Sequence, residues 1–220
     1  MGFEPQASGT AHGGDAAGAE LALVISGASG VALARRFAEM AIETGKVARL
    51  HLVLTAPGAK VAVHELGEEW GTAARFRASL AVNDGQRERI RGWTDADLMA
   101  PIASGSHQLG GVIVLPCSAG MAGALANGIS RGLGQRVADV ALKQRWPLVI
   151  GIRETPMSVI LLDNLLRLAR AGAHIVPPVP AFYLVPEPAA AASTFLDHYC
   201  LRVLDLLGIP VQREGLRWNG

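Results

Sequence analysis

Residues Arg136–Pro156 read RVADVALKQRWPLVIGIRETP. Val137, Val140 and Ala141 recur at three- and four-residue spacing, which predicts an amphipathic helix stopped at Pro147. The stretch that follows, Leu148 to Ile152, holds apolar residues only. A strand apolar on both faces belongs in the middle of a parallel sheet covered by helices. Directly after it come Arg153 and Glu154. Open α/β sheets bind their ligands at the carboxyl ends of the strands, so this charged pair marks the edge on which to look for a site.

Working outward, the same alternation repeats. Leu21–Ile25 is a short apolar strand, followed by the turn Ser26-Gly27-Ala28-Ser29-Gly30 and a helical pattern from Val31 to about Thr44. A strand, a glycine turn and a helix let backbone amides approach a phosphate or an aromatic ring closely. Leu50–Leu54 is the next strand; it ends in Thr55-Ala56-Pro57, and Pro57 suits the first turn of a helix carrying Lys60, His64 and Glu65. Gly111–Leu115 runs into Pro116-Cys117-Ser118-Ala119-Gly120-Met121 and a helix to about Asn127. Val159–Ala171 forms a helix, His174–Val176 a short strand, and Ala190–Leu207 the last helix. Gly67 to Asp97 carries no clear periodicity, and Trp70 and Trp93 there read as packing residues.

Strands alternating with helices predict one α/β domain with a doubly wound, mainly parallel sheet. In such a sheet Ser29, Thr55, Ser118, Arg153 and Glu154 all fall on one edge, which predicts a small-molecule site there. A chain of 220 residues, half of them hydrophobic, is long enough for one buried core. Its net charge of +1 and lack of Lys/Arg runs argue against a nucleic-acid face. No apolar run reaches the roughly 18 residues of a membrane span. Residues 1–20 read as a disordered arm without a signal-peptide pattern, leaving 21–220 as the folded domain. Cys117 and Cys200 are too far apart to form a CxxC or metal pair, and a reducing cytoplasm fits them. Cys117 reads as a buried small hydrophobe. A G-x-G-x-x-G fingerprint is absent, Gly45-Lys46 is not followed by Ser or Thr, and neither Tyr183 nor Tyr199 has a lysine four residues on.

SGASG after the first strand, ASGS at 103–106, the PCS turn, RVADVALKQRWPLV, RETP, PPVPAFY and the closing Arg217-Trp218 occur in register from Leu21 to Trp218. In this the chain resembles the UbiX/Pad-type flavin prenyltransferases, within the homo-oligomeric flavin-containing Cys decarboxylase-like superfamily. The resemblance implies a flavodoxin-like (Rossmann-like), three-layer α/β/α fold. It also implies FMN as the flavin and transfer of a dimethylallyl group from dimethylallyl monophosphate to N5 and C6 of reduced FMN. The product, prenylated FMN, would serve a UbiD-type decarboxylase. Carried over residue by residue, it implies that Gly27, Ala28, Ser29, Thr55, Ser104, Ser106, Ser118, Ala119, Gly120, Met121, Arg136 and Arg153 meet FMN. Lys143, Tyr183 and Arg202 would hold the allylic phosphate, with Lys143 also acting in the chemistry. Glu154 would be the acid/base, with Ser29, Glu65 and Trp218 as further catalytic residues.

Fixed cations suit C–O cleavage that leaves an allylic cation and a phosphate dianion, and with no DDxxD-like cluster no metal is expected. Glu154 would have a raised pKa if desolvated and a lowered one if paired with Arg153. A closed homo-oligomer is expected, a dodecamer being the candidate size, with sites shared between subunits. Met121 stands where the family usually has threonine, removing a hydroxyl donor, and the 131–134 loop and Trp146 also depart from the pattern. Met121 and the 131–134 loop motivate a second reading, an FMN-dependent oxidoreductase or oxidative decarboxylase for another small substrate; a third is a flavin-binding protein without chemistry.

Overall fold

The computed structural model describes residues 18–184, 188–213 and 215–217. The strands are β1 (Ala19–Ile25), β2 (Val47–Leu54), β3 (Ile90–Thr94), β4 (Gly111–Cys117), β5 (Leu148–Ile152) and β6 (His174–Ile175). They form one sheet in the order β3-β2-β1-β4-β5-β6, and every pairing is parallel. Without the edge strand β3 the order is the 2-1-3-4-5 arrangement of a flavodoxin-like sheet; with it, the six-stranded Rossmann order. The switch point lies between β1 and β4. β1 starts two residues before the expected Leu21, and β3 falls inside the segment that showed no periodicity.

The helices are α1 (Val31–Glu43), α2 (Ala56–Leu66), α3 (Ala73–Ser79), α4 (Asp84–Glu88), α5 (Ala119–Ala126), α6 (Leu133–Gln144), α7 (Val159–Arg170) and α8 (Ala191–Leu206). Burial divides them into two layers. α1, α2, α3 and α8 pack one apolar cluster against the sheet, with Phe37, Phe76 and Leu204 in it. α5, α6 and α7, with Ile102 and Leu109 from the connection after β3, pack a second cluster on the other face. The fold is therefore α/β/α in three layers. The opening stretch behaves as read: α6 ends where Arg145 takes a left-handed backbone (φ 58°), Trp146 N donates back to Ala141 O, and Pro147 leads into a fully buried β5. No helix among the described residues is long and apolar enough to cross a membrane.

A partly buried polar cluster lies away from the carboxyl ends of the strands. His51 Nε2 and His107 Nε2 each lie 3.0 Å from Glu20 Oε2, and the Trp93 indole N–H donates to His51 Nδ1 at 3.1 Å. An indole nitrogen can only donate, so Nδ1 carries the lone pair and Nε2 the proton. That tautomer gives Glu20 a donor and leaves His51 Nε2 no lone pair for a metal, although the three side chains are close enough to share one. Burial opposes charge on Glu20, but the histidine bonds outweigh it and hold the carboxyl below its usual range. Burial holds His51 below the ordinary histidine range, against the pull of Glu20. The cluster ties β1, β2 and β3 to the 95–110 connection.

Candidate active site

At the switch point Ser26 staples the two central strand ends. Its Oγ donates to Pro116 O and accepts from Ser118 N, both at 2.8 Å. The Gly27–Gly30 turn leaves β1 here, with Ala28 buried and Ser29 exposed, and Gly30 takes φ 102°, a conformation natural only to glycine. Across the crevice Ser118 Oγ accepts from Met121 N at 3.2 Å and caps α5. The amides of Ala119 and Gly120 open that helix and have no acceptor within it. A Cβ built on Gly120 would meet nothing within 4 Å, so the helix start faces open space.

The other helix starts on this edge are already answered from within the chain. Glu65 takes the N-terminus of α1: its carboxylate accepts from Gly30 N at 3.0 and 3.1 Å and from Val31 N at 2.8 Å. Asp95 accepts from Gly134 N at 2.8 Å at the start of α6. Thr55 is 3% exposed, and its hydroxyl donates to Ile25 O and accepts from Gly58 N, capping α2. The amides expected to meet a ligand at the first turn are thus held by Glu65, and the Thr55 hydroxyl is spent on the strand and helix it joins. We expect Glu65→Ala to lower stability by about 1–3 kcal/mol, since it strips charge-assisted bonds from a helix start. Chemical denaturation of the variant, with flavin titration beside it, checks this.

Arg153 and Glu154 follow β5 on the same edge. Glu154 is exposed and accepts from the Thr155 amide at 3.1 Å, and no ion pair joins it to Arg153 among the described residues. Its carboxylate is therefore neither desolvated nor paired with Arg153 in this chain. Arg153 Nε is buried with no hydrogen-bond partner among the described residues, and its side chain lies against Gly30. An unanswered cationic donor beside a glycine turn and an open helix start fits an anionic, planar ligand such as FMN. Met121 is buried in the second apolar cluster, so the side chain that departs from the family pattern packs into the core under α5. Burial pushes the Cys117 thiol up to about 12, which leaves it inert.

The remaining expected residues form two further groups. Ser104 and Ser106, hydroxyls 2.8 Å apart and exposed, stand beside the end of α6, where a Cβ on Gly105 would strike Gln144. Arg136 donates from Nε to Ala103 O in that connection, and Lys143 is exposed in the last turn of the same helix. On the opposite face of the sheet Tyr183 and Arg202 line a cleft of ≈ 380 Å³ with His198, Leu216 and Arg217. Tyr183 Oη lies 2.8 Å from His198 Nε2, and Arg202 and Arg217 share the carboxylate of Asp205. Lys143 therefore does not meet Tyr183 and Arg202 within one chain, because the sheet separates α6 from α8. His198, Arg217 and Asp95 were given no site role from the sequence, and Trp218 lies outside the described residues.

The fold and its crevice define an α/β flavoprotein, and the comparisons agree. A family model described as Flavoprotein matches residues 10–197. The flavin prenyltransferase UbiX of Methanocaldococcus jannaschii is 35% identical over 190 residues, covering 86% of this chain and 94% of its own. A dodecameric FMN-dependent UbiX-like decarboxylase from Escherichia coli O157:H7 has a TM-score of 0.75 at 32% identity, over 91% of this chain and 100% of the other. AnUbiX (PadA1), solved with FMN and dimethylallyl pyrophosphate, has a TM-score of 0.72 at 31% identity, over 92% and 98%. The chain belongs to the flavoprotein family and, within it, to the UbiX-type flavin prenyltransferases.

Proposed function

We propose that the protein joins a dimethylallyl group from dimethylallyl monophosphate to N5 and C6 of reduced FMN, releasing prenylated FMN for a UbiD-type decarboxylase. The observation that carries this reading is the cleft that gathers Tyr183, Arg202 and Arg217 outside α8, a donor set suited to a phosphate dianion. The strand-end crevice supplies the other half. Gly27, Ala28 and Ser29, the start of α5 from Ser118, and Arg153 would hold FMN, whose reduced ring supplies the nucleophilic N5 and C6. Glu154, exposed on that edge, is assigned the proton traffic there, and Ser29 a hydrogen bond to the ring. The arginines stabilise the charge that builds on the leaving phosphate, which requires no metal.

Lys143, Ser104, Ser106 and Arg136 enter the site from neighbouring subunits in this reading. What supports it is their place on the face opposite Tyr183 and Arg202, and the outer face of α7. There Val159, Ile160, Leu162 and Leu166 are 81, 76, 51 and 47% exposed, an apolar strip of the kind that subunits cover. We take the assembly to be a closed homo-oligomer, with the dodecamer as its candidate size. A cytoplasmic location suits the two free, buried thiols.

The test is anaerobic incubation of the protein with FMN, a chemical reductant and dimethylallyl monophosphate or dimethylallyl pyrophosphate, with mass spectrometry of the extracted flavin. A flavin heavier by one dimethylallyl unit, formed faster from the monophosphate, is the expected result. Unmodified FMN from a protein that binds it tightly would remove the reading, and flavin reduction by a small acid would then favour the decarboxylase alternative.

A further inference from the structure

Asp205 stands where its own helix disfavours it. It lies in the last turn of α8, mostly buried, where a carboxylate meets the negative end of the helix dipole. Two guanidiniums offset that repulsion. Arg217 takes the carboxylate with a two-pronged fork, Nη1 to Oδ2 at 2.9 Å and Nη2 to Oδ1 at 2.8 Å, and Arg202 Nη1 donates to Oδ2 at 3.2 Å. Both arginines line the cleft with Tyr183, His198 and Leu216, whereas Asp205 stands behind them.

The two arginines are left with different capacities for an anion. A guanidinium has five N–H groups. Arg217 gives two to Asp205 and a third to Val211 O at 2.9 Å, and its Nε is buried without a partner among the described residues. It chiefly holds the 215–217 segment against α8. Arg202 gives only one and is exposed, so its Nε and Nη2 edge can still grip an anion as a fork. One such edge matches one phosphoryl group.

Charge points the same way. Two arginines and one carboxylate leave a single positive charge in excess at this end of the cleft. A phosphate monoester carries about two negative charges above neutral pH, and a diphosphate carries about one more. The added charge gains little from arginines already neutralised in part, and it is repelled by the carboxylate behind them. We propose that Asp205 is a positioning residue that sets donor specificity: by holding Arg217 and one prong of Arg202, it fits the cleft to a monophosphate and against a diphosphate. The identity of the ester rests on the prenyl-transfer reading; the preference between the two anions does not.

The experiment uses the full-length protein saturated with FMN, which fills the flavin's own phosphate site, in metal-free buffer at about pH 8. Inorganic phosphate and pyrophosphate are titrated by calorimetry into wild type, Asp205→Asn and Asp205→Glu, each checked for melting temperature and oligomeric state. Wild type should bind pyrophosphate no more tightly than phosphate. Asp205→Asn keeps the shape and an acceptor for Arg217 but loses the charge, and should shift the affinity ratio about ten-fold toward pyrophosphate. Asp205→Glu keeps the charge and should stay within about two-fold of the wild-type ratio. With allylic donors, kcat/KM for the monophosphate relative to the diphosphate should fall about ten-fold in Asp205→Asn. A carboxylate that merely held the tail in place would, when removed, weaken both anions alike, so an unchanged ratio in Asp205→Asn overturns the proposal. A wild type that clearly prefers pyrophosphate, or that binds neither anion, overturns it without any variant having to fold. FMN left unprenylated by wild type with either donor would strike the functional reading alone, since the anion ratios need no turnover.

Discussion

Glu154→Gln should slow formation of prenylated flavin by about 10²–10⁴-fold, the span over which a positioned acid/base acts. It should leave the fold and the flavin in place. The carboxylate sits just past β5, exposed, and among the described residues its one hydrogen bond comes from the amide of its own neighbour Thr155. Removing its charge breaks no ion pair among the described residues, and a surface substitution of this kind changes stability within about 0.5 kcal/mol. Glutamine keeps the size and the acceptor oxygen but cannot take the proton that must leave C6 as the new bond forms. The loss should therefore appear in kcat, with the KM for the allylic phosphate little changed. Single-turnover rates under anaerobic conditions, with flavin affinity measured on the same preparation, separate the two. A variant that prenylates FMN at the wild-type rate would remove Glu154 from the chemistry.

The parts of this molecule that could be read from residues are those in which cause and effect are adjacent along the chain. Leu148–Ile152 is apolar throughout because both of its faces are covered, and that alone placed it inside the sheet, where it lies between β4 and the edge strand β6 rather than at the centre. β3 was missed for the opposite reason. Its residues, IRGWT, form an edge strand that is only partly buried, with no run or alternation to mark it. Gly92 is there because α3 passes so close that a Cβ would come within 3.0 Å of Ala73 O, a tertiary demand invisible in a one-dimensional pattern. Thr55 and Ser118 were legible as polar residues at strand ends, yet each hydroxyl proves to cap the helix that follows it. That local role is the commoner fate of such residues. The pairing of Glu65 with Gly30, 35 residues away, and of Asp95 with Gly134, 39 away, could not be read at all. These two carboxylates decide which helix start on the edge stays open to a ligand.

Lys143 and Arg202 should complement one another across subunits. Within a chain they stand on α6 and α8, with the sheet between the two layers, so a phosphate held by both must lie where two copies meet. Lys143→Ala and Arg202→Ala assembled separately should each lose most prenyl transfer. Each removes a cation from the developing phosphate charge, a loss of the order of 10²-fold. When the two variants are unfolded and reassembled together, or co-expressed, every site draws its lysine from one copy and its arginine from another. With random mixing about a quarter of the sites receive both intact residues, and activity should return to about that fraction of wild type. A site built within one chain predicts no recovery, because each chain in the mixture lacks one partner. The mixed assembly also needs a control of the same size, Lys143→Ala reassembled with itself, which should remain inactive. Recovery would locate the reaction at subunit junctions. It would also explain why Val159, Ile160, Leu162 and Leu166 are left bare on α7: a chain that completes its site only beside another copy needs surfaces that hold that copy there.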